Sequence, residues 1–324
     1  MQNAIPYKSK QFLTLLIKLS IVFGACYFIY NRLHQLNIGT FWEALQLNQI
    51  LSFKNSCILL GLSALNWFFE VLKWKVITSP VKEISLKMSL EQSLGSLTAS
   101  LFTPNRIGEY GAKPIYFEKK DRKKIVLITL INNMGQMLVT LFFGLLGISF
   151  FIKSFQLTII YSRLYILIGL LTFISAIIIF ILKQKRIKIG GVSLQRIKTF
   201  LKTIPRKVIT INIALAFLRY LIFSHQFYFL ISLFNPQISY LEIMMGITTI
   251  YLISSVVPML FIFDVILKSS IAVWVFGYLN INEFAVITTI TLMWMLNFMI
   301  PGILGSYFVL NFSFNHPPKV INKS

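Results

Sequence analysis

Two short constellations in this chain carry residue types suited to binding a charged group inside an apolar environment. The first is Pro104, Glu109 and Lys113 in SLTASLFTPNRIGEYGAK, and the second is Pro258, Asp264 and Lys268 in ISSVVPMLFIFDVILKSS. In each, a serine (Ser100, Ser254) stands four residues before the proline, and the acid stands four residues before the lysine. Proline removes a backbone donor and clashes with the carbonyl one turn back, so each stretch must break. The groups freed by a break need partners at membrane depth, which for the Ser100 carbonyl are the Ser100 hydroxyl or water, and charge there is costly. A break with an acid and a lysine behind it therefore suits a polar cavity facing an anionic group, with Arg106 beside Glu109 in the first copy. Two copies of one such unit are how many membrane transporters build a site at the midplane. A surface helix pair at the cytoplasmic interface remains the structural alternative for the first.

The surrounding elements are apolar. The chain has 324 residues, 56% hydrophobic and 13% charged, where soluble domains run near a quarter charged. Runs long enough to cross the hydrocarbon core predict full spans near 11–30, 56–78, 125–151, 164–182, 208–233 and 284–312. The stretches 89–118 and 241–279 are each broken near the middle. The runs are continuous rather than alternating, which excludes a β-barrel. The net charge of +21 lies between the apolar runs, so it speaks for orientation rather than nucleic acid. Segments 183–207 and 118–124 are dense in lysine and arginine and belong in the cytoplasm, with Lys8 and Lys10 at the N-terminus and Lys319 and Lys323 at the C-terminus. A plasma (inner) membrane protein with both termini inside follows. That charge pattern is kept if both broken stretches are re-entrant hairpins, or if both are paired spans; the polarity of 89–118 favours re-entrance.

The expected fold is an all-α polytopic membrane protein, a single domain over 1–324 with about six full spans and two inverted re-entrant hairpins. Span, hairpin, span at 56–151 recurs at 208–312 with opposite orientation, and GLLG at 144–147 matches GILG at 302–305. Segment 192–207 has Leu194, Ile197, Leu201 and Ile204 at helical spacing among basic residues. It reads either as a helix on an anionic leaflet or as a solvated linker.

Arg219 and Asp264 are the most costly charges, each amid apolar neighbours. Arg219 and Gln226 share one helical face, while His225 points elsewhere. The expected cavity residues are Arg106, Glu109, Lys113, Arg219, Asp264 and Lys268. The expected breaks and hinges are Pro104, Gly108, Pro258, Asn297, Pro301 and Gly302. Pro301 frees the carbonyl of Asn297, giving either a packing kink or a gating bend. Glu70 with Lys73 reads as a simple i,i+3 pair. Cys26 and Cys57 read as packed hydrophobes. Two aspartates in the whole chain, Asp121 and Asp264, rule out a multi-aspartate metal site. No nucleophile–histidine or nucleotide-binding motif is present, so neither an enzyme nor a cofactor is expected.

TPNRIGEYG resembles the P-x-R-x-G-E signature of the lysylphosphatidylglycerol synthase transmembrane-region family. The resemblance extends over nearly the whole chain: a later arginine-bearing span, a proline-broken segment and an Asn…Pro-Gly final span. It implies a polytopic fold with two re-entrant hairpins and movement of phospholipid between leaflets. Arg106, Gly108 and Glu109 match the first signature. In the second segment Asp264 stands for the acid, and the family's glycines are missing. No soluble aminoacyltransferase domain lies within these residues, so lysine transfer is not expected. The partners implied are membrane lipids, with anionic headgroups at the cytoplasmic face. An ion-coupled carrier of a small solute, and a non-transporting scaffold for a membrane synthase, are the alternatives.

Overall fold

The computed structural model describes residues 38–101, 103, 107–157, 188–189, 192–256 and 261–312, with scattered positions between 16 and 30. Most of the span expected at 11–30, the whole of 164–182, and Pro104, Arg106 and Pro258 lie outside the described residues. So do the side chains of 261–266, Asp264 among them.

The elements in chain order are α1 (Ile38–Leu47), α2 (Phe53–Thr78), α3 (Leu86–Ser100), α4 (Gly108–Ile115) and α5 (Arg122–Ser154). After them come β1 (Lys188–Ile189), β2 (Val192–Ser193), α6 (Leu194–Thr203), α7 (Arg206–Phe234), α8 (Tyr240–Val256) and α9 (Phe261–Gly277). The last described helix runs as α10 (Glu283–Trp294), a π-turn (Met295–Met299) and α11 (Ile300–Asn311). Among the described residues the regular structure is helical apart from β1 and β2, which make a two-residue antiparallel pairing. Among the described residues, four helices are long and apolar enough to cross a membrane: α2, α5, α7 and the composite Glu283–Asn311. They coincide with the spans read at 56–78, 125–151, 208–233 and 284–312.

Local chemistry sets the helix starts. The Ser52, Ser85 and Asn282 side chains accept from the backbone N–H groups of Asn55, Met88 and Phe284 at 3.4, 3.2 and 2.8 Å, the usual N-cap arrangement. Both broken stretches are pairs of helices packed on one another, α3 with α4 and α8 with α9. At the first break the Ser100 carbonyl accepts from the N–H and hydroxyl of Thr103, at 3.0 and 2.8 Å. The partner expected for it was the Ser100 hydroxyl or water. The Ser100 hydroxyl instead donates to Leu97 O at 2.8 Å. The helix closes on its own following turn, so the freed carbonyl is capped locally. Thr103 Oγ1 also accepts from Gly108 N at 2.9 Å, tying the start of α4 to the end of α3.

Helix α3 is buried although it is polar: Ser89, Gln92, Ser93, Ser96, Thr98 and Ser100 are all enclosed. Several hydroxyls bond carbonyls of the preceding turn, as Ser96 does to Ser93 O at 3.1 Å and Thr98 to Leu94 O at 3.3 Å. Ser89 reaches across to Val71 O at 2.6 Å. This hides hydroxyls from an apolar surround with modest net energy.

Packing follows an exchange rule. Helix α2 packs on α7, α3 on α11 and α5 on α8. Swapping α2 with α7, α3 with α8, α4 with α9, and α5 with the composite last helix maps α2·α7 onto itself and exchanges α3·α11 with α5·α8. The same holds for α2·α3 with α7·α8, for α4·α5 with α9·α10, and for α2·α5 with α7·α10. The two short matching motifs sit at the exchanged crossings. Gly147 in α5 lies against Thr248 of α8, and Gly305 in α11 lies against Thr98 and the Leu94 carbonyl of α3. Both threonines bond the carbonyl four residues back, Thr248 to Met244 O at 2.9 Å and Thr98 to Leu94 O at 3.3 Å.

At Gly305 an added methyl would run into backbone, whereas at Gly302 it would meet only the tip of the Leu101 side chain, 2.7 Å away. Side-chain tips can turn aside and backbone cannot. Gly305→Ala is therefore expected to destabilise by about 2 kcal/mol, in the range of overpacked cores, and Gly302→Ala by clearly less. Thermal melts of the two variants in detergent check the order.

Helix α6 answers the question left open over 192–207. Phe200 and Ile204, at its end, pack with Trp74, Ile77, Ile84 and Phe117. Lys198 and Lys202 are exposed. The segment is a helix docked at one end of the bundle rather than a free linker.

Candidate functional site

Helix α2 carries a polar stripe: Ser63, Asn66, Trp67, Glu70, Lys73 and Trp74 recur at spacings that put them along one side of a helix. The packing of α2 on α7 sets Arg219 against that stripe. Glu70 Oε2 meets Arg219 Nη1 at 3.0 Å and Lys73 Nζ at 3.0 Å. The Lys73 side chain is 1% exposed, Glu70 8% and Arg219 19%. The triad is thus almost dry at Lys73 and partly open at Arg219, with one carboxylate between two cations.

The guanidinium has a second anchor. Arg219 Nε donates to Asn66 Oδ1 at 3.1 Å. Asn66 Nδ2 donates to Asn297 Oδ1 at 2.8 Å, Asn297 Nδ2 to Gln226 Oε1 at 2.9 Å, and Gln226 Nε2 to the Leu59 carbonyl at 3.0 Å. Gln226 and Arg219 do share a face, and they meet the same network through α2 and the last helix. His225 points away, its Nδ1 2.7 Å from Leu221 O and its Nε2 3.0 Å from the Tyr240 hydroxyl. Gln136 of α5 receives Lys73 Nζ at 3.5 Å and reaches Ala216 O at 3.4 Å.

The break at Pro301 takes a specific form. The carbonyl of Asn297, left without its helical donor by the proline, accepts from Trp67 Nε1 at 3.1 Å. The Leu296 carbonyl accepts from the Ser63 hydroxyl at 2.7 Å. The intervening turn is π-helical, closed from Ile300 N to Met295 O. Such turns are frequent at functional sites.

Beside this network lies a cavity of about 320 Å³. Arg219, Asn66, Gln136, Asn297 and Lys268 contribute its polar wall, and Trp67, Tyr220, Phe223, Tyr251, Trp294 and Phe298 much of the rest. The size falls at the small end of ligand pockets.

Of the residues singled out in the sequence, Arg219, Lys268 and Asn297 line this cavity. Asp264 is a helical residue of α9, one turn before Lys268. Glu109 and Lys113 do not line the cavity. They pair with each other at 3.5 Å, both side chains buried, and Lys113 Nζ stands 4.3 Å from the centre of the Trp74 ring. Trp74 Nε1 in turn donates to Gln92 Oε1 at 2.7 Å. Gly108 lets α4 start against the Ala99 carbonyl, where an added methyl would come within 2.7 Å. Pro301 and Gly302 are buried at the start of α11, Gly302 against Leu101. Glu70 is the main residue the sequence reading undervalued, with Asn66, Trp67 and Gln136 unremarked. The stripe on α2 was the available signal.

No family model, curated protein or solved structure matches this chain.

Proposed function

We propose that this protein moves a phospholipid or lipid-linked anion between leaflets, its headgroup passing through the cavity beside Arg219. The observation that carries the reading is the triad: a guanidinium fixed by Glu70 and Asn66 at the wall of a cavity among apolar, membrane-length helices. Ionisable groups at such depth are costly and go with pathways. Lys268 on the same wall adds a second cation, and aromatic rings around them suit the junction of headgroup and chains.

The architecture we infer has about six spans and two re-entrant helical hairpins, α3–α4 and α8–α9, forming an inverted repeat. The exchange rule in the packing supports it, as do the matching glycine–threonine crossings. The likeness of TPNRIGEYG to the lysylphosphatidylglycerol synthase transmembrane-region family points the same way. In this reading both termini lie in the cytoplasm, and α6 faces anionic headgroups there.

The test is leaflet exchange in liposomes. Purified protein reconstituted with fluorescent phosphatidylglycerol should make the outer-leaflet-bleachable fraction rise well above one half, against protein-free vesicles. No acceleration over empty vesicles with anionic lipids sinks the proposal. The small cavity favours one other reading, an ion-coupled carrier of a small anion. Uptake of a solute driven by a proton gradient, with no lipid exchange, would establish that instead.

A further inference from the structure

The hydrogen-bond chain that ends on Arg219 has a fixed direction. Its terminal groups each have one role: a guanidinium N–H only donates, and a backbone carbonyl only accepts. Met293 O takes a hydrogen bond from Asn297 Nδ2 at 3.0 Å, so Asn297 Oδ1 is the atom left to accept from Asn66. Asn66 must then turn its own oxygen to Arg219 Nε. From the far end, Leu59 O makes the Gln226 amide nitrogen the donor, so its oxygen accepts from Asn297. No amide in the chain can flip without setting two like groups against each other. Asn66 is thereby held with an acceptor aimed at the guanidinium.

Asn297 also belongs to the π-turn. Ser63, Asn66 and Trp67 of α2 all grip this one turn, through Leu296 O, the Asn297 side chain and Asn297 O. A π-turn holds one residue more than a regular helical turn. Resolving it into α-helix would rotate Asn297 by about 100°, the angle of one helical residue, and take its amide away from Asn66. The position of Arg219 and the winding of the last helix are therefore linked through a single side chain.

We propose that Asn297 is the positioning residue for Arg219: the π-turn seats the guanidinium on the cavity wall through Asn66, and unwinding the turn takes that anchor away and leaves it held by Glu70 alone. The importance of this seat to transport rests on the function proposed above, while the coupling itself can be read without any substrate. The probe is phenylglyoxal, which modifies arginine side chains that are free to react. The full-length protein in detergent is labelled for graded times, and each arginine is followed by peptide mass spectrometry. Asn66→Leu removes the amide anchor, with the Glu70 contact kept, and Asn297→Leu removes the remote one. Asn297→Ala serves where leucine is not accommodated.

Both substitutions are expected to raise the labelling rate at Arg219 by about tenfold, the worth of one hydrogen bond to a charged group. Arg122, whose Nε donates to Phe117 O at 3.2 Å outside this network, should label at its wild-type rate. A general loosening of the fold would raise Arg122 as well, and that result overturns the proposal. It is overturned equally if Asn66→Leu exposes Arg219 while neither Asn297 variant does, or if none of the variants changes Arg219. The labelling outcome stands whether or not the wild type exchanges lipid, so the two readings fail separately.

Discussion

Arg219→Gln is expected to cut protein-dependent lipid exchange to about one percent of the wild-type rate or less, with the protein still folded. Glutamine keeps a donor for Glu70 and removes the positive charge. The Glu70–Lys73 pair remains to satisfy the carboxylate, so the site does not collapse. A group that meets the substrate's anion only as it enters the cavity loses its charge-assisted hydrogen bonds, each worth about 1.5–3 kcal/mol. Two such bonds put the loss in rate at roughly a hundredfold or more. Arg219→Lys retains the charge and should restore part of the activity, though a lysine lacks the planar fork that reaches Glu70 and Asn66 together. Exchange rates in matched liposomes, at equal reconstituted protein, check the order wild type, lysine, glutamine. Equal rates in all three would make Arg219 a packing residue.

The second large effect falls on stability. Glu70→Gln removes the one carboxylate that both Lys73 and Arg219 contact, and leaves a buried lysine and a partly open arginine without it. Breaking a buried pair by removing one partner costs about 3–5 kcal/mol. Lys73→Met takes away a cation instead, and leaves Glu70 paired with Arg219. It is expected to cost less, because a neutral pair remains and the methionine fills the space of the lysine stem. Thermal unfolding of both variants in one detergent tests the ranking. A Lys73→Met protein less stable than Glu70→Gln would mean that the charge balance of the triad is not what holds it.

The four described membrane-length helices were legible because length and apolarity are properties of a continuous segment. The breaks before Gly108 and at Pro301 were legible for a similar reason: proline acts on its own chain, one turn back. The partner of the Ser100 carbonyl was misjudged because capping depends on which of several nearby donors the turn geometry delivers, and Thr103 delivered two. The recurrence of the broken unit, and for Glu109 the family signature, point to Glu109 and Lys113 as cavity residues. Their i,i+4 pairing is present, yet α4 is turned so that Lys113 lies over the Trp74 ring, whose Nε1 donates to Gln92. Glu70 was read in its local role, as a partner for Lys73, and that bond exists. Its second partner, Arg219, stands on another helix.

The apolar runs, the positive segments between them and the proline breaks were thus determined by the sequence itself, since each arises within a few helical turns. The tertiary structure decided the company each polar residue keeps. Asn66 meets Arg219 and Asn297 across separations of 153 and 231 residues. Those meetings depend on how α2, α7 and the last helix are rotated and crossed. Packed side chains set that rotation, and no local pattern of residues encodes it. The opening pair of proline breaks frames the molecule, but its buried charge centre is built on an unbroken helix between Ser63 and Trp74.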